Sequence, residues 1–196
     1  SGLYPLFVAY NIYRRRVEEA KRKYGEVDRG FALSLWDSTI EQNIFVICKT
    51  PMARDITRRT LVGFRNTRVN AQYYKDLIEV IKNNPATFVN EVRDGRRFWN
   101  TNNNDHMKFN AIVGNPPYQV MDGGGAGTSA ITIYHHFVNI SKIIKPKYIS
   151  LIIPARWYAG GKGLDDFRNT MLVDKRIEII IDYPNATKYK KEFNEE

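Results

Sequence analysis

Apolar positions at helical spacing open the chain. Leu6, Tyr10, Tyr13 and Val17 fall on one side and a basic, acid-flecked surface on the other, which predicts a helix over Leu3–Tyr24. Pro5 lies in its first turn, where a missing N–H costs nothing, and Gly25 stops it. A short helical stretch follows over residues 32–39. Residues 43–48, NIFVIC, form a compact β-branched and aromatic run that reads as a buried parallel strand. Thr50 and Pro51 then look like an N-cap and a first-turn proline, opening a helix over Pro51–Val62 that Gly63 closes. Further helices are expected over residues 71–82 and Pro85–Arg93, the second capped by Asn84. The polar stretch 95–108 reads as a loop.

The second half repeats the strand–helix pattern. Residues 110–114 are a strand, 121–128 a glycine-rich loop, and 131–144 a helix. YISLIIP over 148–154 is the strongest strand signal in the chain, 164–173 is helical, and RIEIIID over 176–182 is a final strand. Residues 188–196 are a charged tail. Strands alternating with helices imply one α/β domain with a largely parallel sheet covered by helices on both faces.

Composition narrows the partners. The 196 residues suffice for one well-buried domain, and no apolar run approaches the roughly 20 residues that cross a bilayer. The N-terminal charges follow the apolar stretch, the wrong order for a secretory signal. A single cysteine, Cys48, excludes an internal disulfide framework and fits a reducing, cytoplasmic setting. Net charge is +9, from 30 Lys and Arg against 21 Asp and Glu, an excess that suits a polyanionic partner.

The sharpest chemical signal is Asn115-Pro116-Pro117-Tyr118, directly after an apolar strand. In open α/β sheets ligands bind just beyond the carboxyl ends of the strands. Two consecutive prolines donate no backbone hydrogen bonds and hold φ near about −65°, so the segment presents carbonyl acceptors in a stiff geometry. Such acceptors suit an amide or aromatic NH2 group, whose lone pair is delocalised into the adjoining π-system. Accepting its two N–H bonds, at the Asn115 side-chain oxygen and the Pro116 carbonyl, draws that lone pair out of conjugation. Tyr118 adds a ring face on which a flat base stacks, a contact worth about 1–3 kcal/mol. A base in a duplex reaches such a pocket only when flipped out.

Asn-Pro-Pro-Tyr in this setting resembles the catalytic motif of the N6-adenine DNA methyltransferases. ITIYHHF, SLIIPARWYAGGKGLDDFR and RIEIIIDYP extend the resemblance to the combined restriction–modification methylases of the type IIG group. SGLYPLFVAY and NIFVICKTPMARDITRRTL carry it upstream. The resemblance implies a Rossmann-like fold binding S-adenosylmethionine as methyl donor, and double-stranded DNA with a flipped adenine as substrate. Asn115, Pro116, Pro117 and Tyr118 take the catalytic role.

Two departures from the family pattern concern the cofactor. Its first strand and glycine-rich loop are expected to precede Ser1, with only Ser1 and Gly2 as the tail of that loop. Cys48 stands where an acidic residue usually holds the ribose hydroxyls, and a thiol is a poor acceptor. The chain therefore reads as part of a larger restriction–modification polypeptide.

Outside the motif, Arg156, Trp157, Tyr158 and Lys162 interleave aromatic and basic character after the 148–154 strand. They are candidates for contact with a flipped nucleotide or its phosphates, with Trp157 also suited to the core. His135 and His136 lack a third ligand at a recognisable metal spacing. Asp165 and Asp166 diverge by about 100° on a helix and suit its first turn better than paired catalysis. The glycines at 123–125 and 127 lack the Lys-Ser/Thr of a P-loop and read as a loop beside the base pocket. Two alternatives stay open: the same four residues serve amide and RNA methyltransferases, and a chain with a lost cofactor site would be a non-catalytic DNA-binding module.

Overall fold

Where capping signals are strong, the chain obeys them. The computed structural model describes residues 2–101, 106–121 and 130–183. Helix α1 spans Leu3–Tyr24, and the Gly25 N–H closes it by donating to the Lys21 carbonyl. Helix α3 spans Pro51–Val62: the Thr50 hydroxyl accepts from the Ala53 N–H at 3.1 Å, and the Gly63 N–H donates to the Arg59 carbonyl. Helix α5 spans Pro85–Arg93, but Asn84 makes no side-chain bond to its first turn. Helix α2 is longer than its apolar pattern suggests, Arg29–Asn43, because Asp28 accepts from the Phe31 N–H at 2.7 Å and starts it early.

Strand β1, Phe45–Cys48, pairs in parallel with β2, Asn70–Tyr73. The helix expected over 71–82 is therefore confined to α4, Leu77–Asn83, which follows a left-handed Asp76 at φ 52°. Strand β3, Ala111–Gly114, pairs in parallel with β6, Tyr148–Leu151. A third pair is antiparallel, β4 (Gln119–Met121) against β5 (Ala130–Thr132), where only a loop and a helix start were expected. Helix α6 spans Tyr134–Ile144 and α7 spans Asp165–Val173, with a 3-10 turn at Ala155–Tyr158.

The final strand expected over 176–182 is absent. Residues 177–183 form no strand among the described residues, and Ile179 is 77% exposed. An apolar β-branched run is only a strand candidate until a neighbouring edge satisfies its backbone. Ser1, the glycines at 123–125 and 127, and the tail at 188–196 lie outside the described residues.

The chain divides between Gly114 and Asn115, between His135 and His136, and between Leu151 and Ile152 into two compact units. In the first, β1 alternates faces as a strand must. Val46 packs with Ala9, Ile40, Leu61 and Ala71, under α1, α2 and α3. Phe45 and Ile47 face the opposite way, onto Ile81, Phe88, Val92 and Ile140 of α4, α5 and α6. Helices thus cover both faces of the β1–β2 pair, which explains why its strand lacks a polar side. This unit is α/β with small parallel sheets. The second unit holds the β4–β5 pair, the 3-10 turn and α7, around Ile133, Tyr134, Trp157, Leu164 and Phe167. No helix among the described residues is long and apolar enough to cross a membrane.

Candidate active site

The second unit gathers most of the residues singled out for chemistry. Asn115, the residue immediately after β3, is exposed, Pro116 is buried and Pro117 half-buried. Tyr118 is 40% exposed, and its carbonyl accepts from the Ile133 N–H at 3.0 Å. That bond extends the β4–β5 ladder by one step and fixes the end of the Asn115–Tyr118 segment against the start of α6. The prolines fit this place because neither has an N–H to leave unpaired.

Tyr118 forms part of the wall of an open cavity of about 300 Å³, together with Gln119, Thr132, Tyr134, Pro154 and Arg156. Asn115, Pro116 and Pro117 are not among the lining residues. Gln119 and Thr132 are direct cross-strand partners, so their side chains share one face of the hairpin. Tyr134, 1% exposed, contributes to the lining from the core side. Burial raises its pKa above the usual phenol value. The neighbouring main chain of Trp157 and the charge of Arg156 pull the other way without overcoming it. The phenol therefore stays neutral at ordinary pH.

The 3-10 turn divides its residues. Arg156 and Tyr158 are exposed, while Trp157 is 5% exposed, with its ring 5.9 Å from Phe167 and 4.6 Å from Tyr158, both edge-on. Trp157 thus belongs to the core of the unit and Tyr158 carries the accessible ring. Lys162 is exposed at the tip of the following loop, in the left-handed region at φ 49° between Gly161 and Gly163. The loop is tied at its base, where the Gly161 N–H donates to Asp165 Oδ1 at 2.9 Å and Arg168 Nε donates to the Tyr158 carbonyl at 2.7 Å. Asp165 is therefore a loop anchor, not half of a catalytic pair.

The residues expected at the cofactor lie in the first unit. Gly2 sits at the N-terminus of α1 with φ 80°, and a Cβ there would come within 2.7 Å of Thr60 Oγ1. Glycine is required at this spot by both conformation and space. Cys48 ends β1, 5% exposed, with its sulfur 3.9 Å from Thr57 Oγ1. Burial pushes its thiol up, and the Thr57 contact opposes this only in part. A buried, protonated thiol offers nothing that would accept from ribose hydroxyls. At this position the chain does not fit the usual S-adenosylmethionine contact.

No group of three or more His, Cys, Asp or Glu among the described residues could hold a metal ion. His136 is shifted below the usual imidazole value, first by burial and then by the charge of Lys82.

The sequence reading missed Gln119, Thr132 and Tyr134. The first two lie on three-residue strands, too short to show a period. Tyr134 sits on a helix as one aromatic among several.

The Asn-Pro-Pro-Tyr segment thus ends at an open cavity that Tyr118 and Arg156 both line. The family follows from comparison of the chain with known proteins. Residues 42–189 match the Eco57I restriction-modification methylase family, and the chain belongs to it. It is also 32% identical over 102 residues to an uncharacterized adenine-specific methylase of Mycoplasma pneumoniae, covering 52% of this chain and 24% of that protein. The chain thus spans about a quarter of the length of that relative. No solved structure matches.

Proposed function

We propose that this chain carries the catalytic segment of a DNA methyltransferase that modifies the N6 amino group of adenine within a restriction–modification system. The observation that carries the reading is Asn115-Pro116-Pro117-Tyr118 leading into a cavity walled by Tyr118 and Arg156, in a chain of the Eco57I family. The adenine named for the Mycoplasma pneumoniae relative supports the choice of base. The net charge of +9 supports a nucleic acid over a protein amide.

In this reading the flipped adenine stacks on Tyr118. Its amino hydrogens are accepted by the Asn115 side-chain oxygen and the Pro116 carbonyl, which localises the nitrogen lone pair for attack. Arg156, Tyr158 and Lys162 hold the flanking nucleotide backbone. S-adenosylmethionine would supply the methyl group, through contacts other than Cys48.

The test is transfer of a labelled methyl group to an adenine-containing duplex, with nucleoside analysis of the product. Asn115→Ala is expected to reduce the rate by about 10²–10³, the usual loss when one polar group aimed at the reacting centre is removed. A methylated glutamine or an N4-methylated cytosine as product would overturn the adenine assignment. The buried Cys48 thiol favours a second reading, a DNA-binding module without a working cofactor site. Duplex binding with no calorimetric heat on adding S-adenosylmethionine would establish it.

A further inference from the structure

Resting on the adenine reading of this cavity, we infer that the cross-strand pair Gln119 and Thr132 is its base-selecting element. The parts already described do not select. Every base has a ring face, so stacking on Tyr118 is tolerant of sequence. Acceptors at Asn115 and Pro116 suit any exocyclic amino group, and adenine, cytosine and guanine all have one. Selection needs groups that read the ring edge beside that amino group.

Gln119 and Thr132 stand opposite each other in the β4–β5 register, and both line the cavity that Tyr118 walls. Directly opposed residues hold their Cβ atoms about 4.5–5.5 Å apart. Gln119 is exposed and Thr132 half-buried, so both are reachable from the cavity. The glutamine amide presents two N–H donors and the threonine hydroxyl one. Adenine carries two ring acceptors, N1 and N7, flanking its amino group. Cytosine carries a single flanking acceptor, with a carbon on the other side. Guanine turns the flanking N1 position of its six-membered ring into a donor. Two donors on one hairpin face therefore match adenine and leave one donor unsatisfied against cytosine.

The buried phenol of Tyr134 lines the same cavity. Arg156, with its long side chain and forked guanidinium, is left for a phosphate. In the major groove, too, glutamine pairs with adenine through an amide N–H donated to N7.

The experiment is a nuclear magnetic resonance titration of the whole chain with deoxyadenosine, 1-deaza- and 7-deazadeoxyadenosine, and deoxycytidine. Resonances of Tyr118, the Gln119 side-chain amide and Thr132 are followed. Deoxyadenosine is expected to move all three, and one of the deaza analogues to bind about tenfold more weakly, the size of one lost base-reading bond. Gln119→Ala should weaken deoxyadenosine by a similar factor and erase the difference between it and that analogue. Gln119→Glu, which keeps the shape and removes the donors, should do the same.

The inference fails if Tyr118 moves while Gln119 and Thr132 do not, or if the analogues are penalised equally in wild type and variants. It also fails if deoxycytidine binds as tightly as deoxyadenosine. Those outcomes leave Tyr118 as the base platform. If none of the three residues moves, the inference falls together with the adenine reading of the cavity.

Discussion

Gly160 and Gly161 are neighbours with nearly the same backbone, φ 71° and 74°, yet their surroundings differ. A Cβ on Gly160 would meet Asp165 Oδ1 at 2.6 Å, whereas one on Gly161 would meet nothing within 4 Å. Asp165 is the acceptor that ties the Gly161 N–H. Gly161→Ala should cost about 1 kcal/mol, for the positive φ alone. Gly160→Ala should cost about 1–3 kcal/mol, since it also displaces the Asp165 carboxylate and frees the Gly161 amide. Faster hydrogen exchange at Gly161 in the Gly160→Ala variant, with no equivalent change elsewhere, is the reading that checks this.

Cys48 gives a second prediction at the same scale. Its thiol is held neutral by burial, so the thiolate that alkylating reagents need is scarce below the usual thiol range. Labelling by iodoacetamide at pH 7 to 8 (about one pH unit below the free thiol) should be slow. It should accelerate in step with added denaturant, reporting opening of the β1 end.

Capping separates the elements that local sequence defines from those it does not. Thr50 makes its side-chain bond to the Ala53 N–H, and Asn84, read from sequence as an equivalent cap, makes none. Thr50→Ala should therefore destabilise the protein by about 1 kcal/mol. Asn84→Ala should stay within about 0.5 kcal/mol of wild type. Paired thermal melts distinguish the two. The same contrast runs through the strands. NIFVIC contained its own evidence, because a run with no polar face must be covered on both sides. AQYY did not. It became β2 because β1 needs a hydrogen-bonded edge, and Asn70, 1% exposed, reaches from that edge to the Glu41 and Ile44 carbonyls that end α2.

For the molecule as a whole the charge of +9 carries the expectation. Each phosphate neutralised contributes about −0.9 to the slope of log binding constant against log salt on duplex DNA. Replacing both Arg156 and Lys162 by Gln should weaken duplex binding across sequences and make that slope shallower by about 2. Fluorescence anisotropy at several salt concentrations measures it. A slope unchanged in the double variant would remove these two residues from the DNA-contacting surface.

The sequence by itself determined the helices that carry their own start and stop signals, α1, α3 and α5. It also determined the presence of β1, β3 and β6. These follow from interactions within a few residues: a proline without an N–H, a hydroxyl bonded three residues ahead, a glycine in a left-handed turn. Only the tertiary structure decided that Trp157 is core while Tyr158 is surface, because both are aromatic and adjacent. It alone paired Gln119 with Thr132 beside Tyr118, and placed residues 177–183 outside any strand among the described residues. Those outcomes depend on contacts between distant segments, and an apolar or polar letter records only what a side chain tolerates, not which neighbour it finds.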